Sequence, residues 1–150
     1  MIEVDEQFEV LAPVDRVWEV LSDPFTVVEC VPGATIVSRN DDGSFETTLT
    51  VKFGPMSVAF LARAVLALEA DSWMGRIEAN GKDKLGGARF VASAVFRVTD
   101  HPAGALVSTH GQVEISGRLA SVIEGGAGIV VKRMSAEFAR CMSARCSAPS

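Results

Sequence analysis

The segment Leu119–Cys141, LASVIEGGAGIVVKRMSAEFARC, decides the fold. Its apolar residues Leu119, Ile123, Ala127, Val130, Met134, Phe138 and Cys141 recur at intervals of three and four, which aligns them as one stripe on a long helix. Gly125, Gly126 and Gly128 run against that reading, because each glycine costs a helix about 1 kcal/mol relative to alanine. Either the helix bends there, or something approaches its backbone closely.

Everything upstream supplies what such a helix would cover. Between Ala34 and Ser116 the apolar residues fall at alternate positions, the period of strands with one buried face. The sets are Phe45, Leu49, Val51 and Phe53, then Met56 through Leu68, then Gly75, Ile77 and Ala79. Phe90 through Val98 and Val107 through Ile115 complete the series. Asn40-Asp41-Asp42-Gly43, Gly54-Pro55, Asp71-Ser72, Gly86-Gly87 and His101-Pro102-Ala103-Gly104 punctuate it as turns, leaving room for five to six strands.

The N-terminal residues alternate as well, with Ile2, Val4, Phe8 and Val10 on one face and Glu6 as the exception. Pro13 and Asp15 suit a first helical turn, and Val14, Val17, Trp18 and Leu21 share a face of a helix ending near Ser22. Asp23-Pro24 restarts the chain for a second short helix over Phe25–Cys30, and Val31-Pro32-Gly33 stops it. The reading is α+β: a strand, two short helices, a meander of antiparallel strands and a long terminal helix. Its extent is one domain over residues 1–146, with a frayed tail at 147–150.

A sheet with one apolar face must be covered, and only the last helix is long enough to do so. If the sheet curls around it, the space between is a packed core or a pocket. Small residues at Ala62, Ala64, Gly75, Ala79, Ala92, Ala94 and Gly111, facing Gly126 and Ala127, favour a pocket. Candidate lining residues are Trp18, Val28 and Pro32 from the helical pair and its stop, and Phe60, Ala64, Ile77, Phe90, Ala94, Thr109 and Val113 from the strands. Ile123, Ala127, Val130 and Met134 come from the last helix. Trp18 and Trp73 could stack on a flat ligand or serve as core, and Phe60, Phe90 and Phe96 make better walls.

Chemistry for catalysis is sparse. His101 falls in a turn and His110 between inward-facing neighbours, so neither reaches the concave face; the chain has no Tyr. No His, Cys or carboxylate set has metal-ligand spacing. Gly81-Lys82-Asp83 with Gly86-Gly87 lacks the order of a phosphate loop and reads as a hairpin turn, as Asp41-Asp42-Gly43 does. Catalytic and metal residues are therefore expected to be none.

The net charge of -5 argues against nucleic acid. Charge is uneven: residues 1–46 hold eleven acids and two bases, whereas Lys132, Arg133, Arg140 and Arg145 make the end of the last helix basic. Those cations suit an anionic membrane surface or an acidic partner, and they also answer the helix dipole. No apolar run reaches about 18 residues, and the first residues lack a signal peptide, so the protein is expected in the cytoplasm. Cys30, Cys141 and Cys146 are then expected as free thiols, with Cys30 near the pocket mouth as a small buried hydrophobe.

Several motifs coincide. Phe8-x-Val10-x-Ala12-Pro13-x-x-x-Val17-Trp18-x-x-Leu21-x-Asp23-Pro24, followed by Cys30-x-Pro32-Gly33-Ala34, resembles the carbon monoxide dehydrogenase CoxG family. So do Val51-Lys52-x-Gly54-Pro55, Gly81-Lys82-Asp83-x-x-Gly86-Gly87 and Gly117-Arg118-Leu119-Ala120. The resemblance spans nearly the whole chain. It implies the helix-grip fold of the START and polyketide-cyclase-like superfamily, with a curved sheet around the last helix. It further implies an accessory role beside a molybdenum hydroxylase such as aerobic carbon monoxide dehydrogenase. That role is membrane recruitment of the enzyme and carriage of a quinone or other lipid, with no tightly bound cofactor. Longer relatives carry a C-terminal extension that contacts membrane; nothing apolar follows Cys146 here, so peripheral contact at the inner membrane face is the most expected. The superfamily also includes enzymes acting on aromatic, polyketide-like substrates, against which the want of an inward His, Tyr, Asp or Glu counts. An assembly factor that does not use the pocket is the third class.

Overall fold

The computed structural model describes residues 1–147, and residues 148–150 of the expected tail lie outside the described residues. The chain runs β1 (Ile2–Val10), α1 (Val14–Leu21), α2 (Pro24–Cys30), β2 (Ala34–Arg39), β3 (Phe45–Phe53) and β4 (Met56–Glu69). A 3-10 turn at Ala70–Ser72 leads to β5 (Met74–Asp83), β6 (Arg89–His101), β7 (Gly104–Ser116) and α3 (Ala120–Ser147). The strands form one antiparallel sheet in the order β1-β7-β6-β5-β4-β3-β2. Consecutive strands from β2 to β7 are neighbours, as short turns require, and β1 returns to pair with β7 from Ile2↔Val113 to Val10↔Ala105.

Alternation explains which face is buried. Along β4, Val58, Phe60, Ala62 and Ala64 are buried while their neighbours Leu61, Arg63 and Val65 are exposed. The helices cover the concave face in three sections. Under α1 and the end of α3 lie Val10, Val17, Leu21, Phe96, Val98, Val107 and Met142. Val51, Val58, Phe60, Ala88, Ile123, Ala127 and Val130 pack under the first half of α3. Val28 of α2 closes on Phe45 and Ala64.

Local chemistry places the α2 corner. The Asp23 carboxylate accepts from Phe25 N at 3.1 Å and from Thr26 Oγ1 at 3.0 Å, capping a helix whose first residue is Pro24; such a cap is worth about 1 kcal/mol. Gly33 follows with φ +80°, and its carbonyl accepts from Thr50 N at 3.0 Å. Only glycine takes that conformation without strain, and it pins the Val31-Pro32 turn above β3. The two turn readings correspond to carboxylates that organise loops. Asp83 accepts from Leu85 N and Gly87 N at 3.2 and 3.3 Å. Asp42 accepts from Ser44 and pairs with Arg63, and the Ser44 hydrogen bonds in particular hold its pKa below the usual carboxylate value.

Three expectations need correction. α3 is continuous across Gly125, Gly126 and Gly128, and a Cβ at any of them would meet open space, so no neighbouring protein group requires glycine there. Gly75 does not leave empty volume: the Phe96 ring of the neighbouring strand occupies the space its side chain would fill. Cys30 and Cys141 are not free thiols but a disulfide, joining the end of α2 to α3 with a Cα separation of 5.4 Å. A sequence separation of 111 hid the pairing, because only the packing of α2 on α3 brings the two together. Cys146 is free and buried, and loss of hydration pushes its thiol pKa up.

Candidate functional site

A cavity of about 580 Å³ lies between the concave face and α3. β1 contributes Val4, Glu6 and Phe8; the turn after α2 contributes Val31 and Pro32; β3 contributes Leu49, Val51 and Phe53. Phe60 and Phe90 meet edge to face with centroids 5.0 Å apart, forming an aromatic corner. Ala92, Thr109, Val113 and Ile115 continue the sheet wall, and Ala127, Val130, Val131, Met134, Ser135, Phe138 and Ala139 form the helical one. Glu6, Gln7, Thr109 and Ser135 are the polar residues among the described lining.

Of the residues singled out from sequence, Pro32, Phe60, Phe90, Thr109, Val113, Ala127, Val130 and Met134 lie on this wall. The others are placed elsewhere. Trp18 packs beside the α1 cluster with its ring 6.2 Å from Phe96, while Val28 and Ala64 sit in a closed cluster against which Ile77 packs. Ile123 is fully buried in the core under α3. Ala94 faces the concave side between Ala92 and Phe96, opposite Ile77, and is not among the residues that line the cavity. The small residues at the α2 end of the sheet are therefore covered by helix rather than by cavity.

Sequence reasoning missed the whole of β1 as a wall, and with it Glu6, so the expected want of an inward carboxylate is corrected. The signal was present: Glu6 breaks the alternation of β1 on the side that carries Val4 and Phe8. The missed β3 residues Leu49, Val51 and Phe53 carried the same period-two signal. His110 is exposed on the outer face. His101, at the end of β6, accepts from Ala103 N through Nδ1 at 3.1 Å and faces Glu9 through Nε2 at 3.3 Å. Among the described residues no three of His, Cys, Asp or Glu stand together as a metal site, and no helix is long and apolar enough to cross a membrane. Arg145, one of the four cations of α3, is tied to Glu29 of α2 at 2.7 Å.

This geometry, a curved sheet gripping a long helix around an apolar cavity, frames the comparison with known proteins. The model of the CoxG family, named for a subunit of carbon monoxide dehydrogenase, matches residues 7–147. The chain belongs to that family. As a CoxG family member it shares its fold with solved structures of low sequence identity. A conserved protein from Geobacillus kaustophilus superposes with a TM-score of 0.83 at 16% identity, covering 97% of this chain and 95% of that one. The ZhuI aromatase/cyclase from Streptomyces sp. R1128 superposes with a TM-score of 0.65 at 20% identity, covering 96% and 92%. At these identities the likeness is one of fold. A search of the curated proteins found no match.

Proposed function

We propose that this CoxG family protein carries an apolar ligand, a quinone or related prenyl lipid, for a molybdenum hydroxylase of the carbon monoxide dehydrogenase kind. The cavity supports this reading most. Its volume falls within the roughly 300–1,000 Å³ usual for small-molecule sites, and its wall is almost wholly aliphatic and aromatic. Family membership supports the choice of partner enzyme. Lys132, Arg133 and Arg140, exposed on α3, suit peripheral contact with an anionic lipid surface or an acidic partner.

Catalysis on an aromatic substrate is the second reading, and Glu6 on the cavity wall is what favours it. Acid–base chemistry normally needs a partner group, and among the described lining residues Glu6 is joined by no His, Lys, Cys or second acid. The carrier reading is tested by extracting the purified protein with organic solvent and analysing the extract by mass spectrometry. The expected result is a prenyl quinone or lipid approaching one per chain. A clean extract, together with no uptake of added decylubiquinone or of its reduced quinol, would overturn it.

A further inference from the structure

We infer that Glu6 and Thr109 form the head-group site of the cavity and take the hydroxyl-bearing end of an amphipathic ligand, which rests on the carrier reading above. The two are direct partners across β1 and β7, in the row whose β1 neighbours Val4 and Phe8 also line the cavity. Glu6 is half-buried on this apolar wall, where its carboxylate can take a charge-assisted hydrogen bond from a bound molecule. Among the described residues Glu6 enters no ion pair, although Glu9 on the same strand meets His101. The partner it lacks within the protein is one a ligand can supply.

The chemistry of the pair selects that ligand. An ionised carboxylate only accepts hydrogen bonds, whereas a threonine hydroxyl both donates and accepts. A ligand hydroxyl satisfies both at once, donating to Glu6 and accepting from Thr109. A carbonyl oxygen or an ether can accept from Thr109 but has no hydrogen to donate to Glu6. The polar end also lies far from the aromatic corner. Six residues separate Thr109 from Ile115 along β7, roughly 20 Å at ~3.3 Å per residue, and Ile115 is the partner of Phe90. Val113 lines the interval between them. A molecule with a hydroxylated head at Glu6 and an apolar body running to Phe90 and Phe60 matches this layout. Applied to a quinone cargo, the site holds the reduced hydroquinone in preference to the quinone, because only the hydroquinone has a hydroxyl to donate.

The test uses the full chain and two probes related by methylation of the one hydroxyl, 4-nonylphenol and its methyl ether, 4-nonylanisole, titrated by calorimetry. The wild type is expected to bind the phenol about tenfold or more tighter, as a charge-assisted hydrogen bond requires. In Glu6→Leu the ratio is expected to fall to about one through loss of phenol affinity, with ether binding retained. In Glu6→Gln, which keeps one acceptor oxygen and loses the charge, it is expected to fall at least about threefold; this variant decides the matter if Glu6→Leu does not fold. Equal affinities in the wild type, or a ratio that survives both substitutions, would overturn the head-group assignment and leave the cavity reading standing. Failure of both probes to bind would overturn both.

Discussion

Gly75 lies on β5 directly opposite Phe96, whose ring fills the space a side chain would take. At this position glycine is a packing residue, because the aromatic ring of one strand completes the surface of the next. Gly75→Ala is therefore expected to lower the unfolding free energy by about 1–3 kcal/mol, the usual scale of overpacking, despite alanine's conformational advantage. Urea denaturation checks this, and a variant as stable as the wild type would contradict it. The inward direction of Gly75 was legible in the alternation of β5. That its volume belonged to Phe96 was not, because cross-strand register sets which ring covers which glycine. Glu6 is the converse case: its departure from the pattern of β1 was visible, and its meaning came only when β1 was seen to form a cavity wall.

At the scale of elements, α3 carries glycines under no such constraint. Gly125 and Gly128 are exposed, stand clear of other groups and lie off the cavity wall. Replacing both with alanine is expected to add up to about 1 kcal/mol each, raising the melting temperature by ~2–4 °C per kcal/mol, with ligand affinity unchanged. Altered affinity or release would show that these glycines serve the site. The same helix is held to α2 by Cys30–Cys141 and by Arg145–Glu29. Cys141→Ser is expected to cost about 2–4 kcal/mol, since a bridge over so long a loop constrains the unfolded chain strongly. Alkylation without reductant, followed by peptide mass spectrometry, should find only Cys146 as a thiol, and that one slow to react because burial keeps it protonated. Rapid labelling of Cys30 and Cys141 would contradict the bridge. Helix spacing made α3 legible from sequence, whereas its fastening to α2 depends on a contact between distant segments.

Across the whole molecule, the order of elements and the concave face followed from two periodicities, two residues for the strands and three to four for α3. The cavity was legible only in part, for a physical reason. Alternation says which residues face inward, but the packing of α1 and α2 decides which inward residues are covered by helix. Val28, Ala64 and Ile77 are covered in that way, and Trp18 turns towards the α1 cluster. Phe53, Val51 and Val4, with the same inward direction, face open volume instead. The central claim is that this volume is a ligand site. Ala92 lines it from β6, so Ala92→Phe adds bulk to empty space. A parallel titration of wild type and Ala92→Phe with decylubiquinone tests the claim most directly, with the thermal transition of each recorded alongside. Saturable one-to-one binding by the wild type and a loss of at least about tenfold in the variant, with a cooperative transition retained, is the predicted result. Equal binding by both proteins, or a variant that loses stability while binding is untouched, would contradict it.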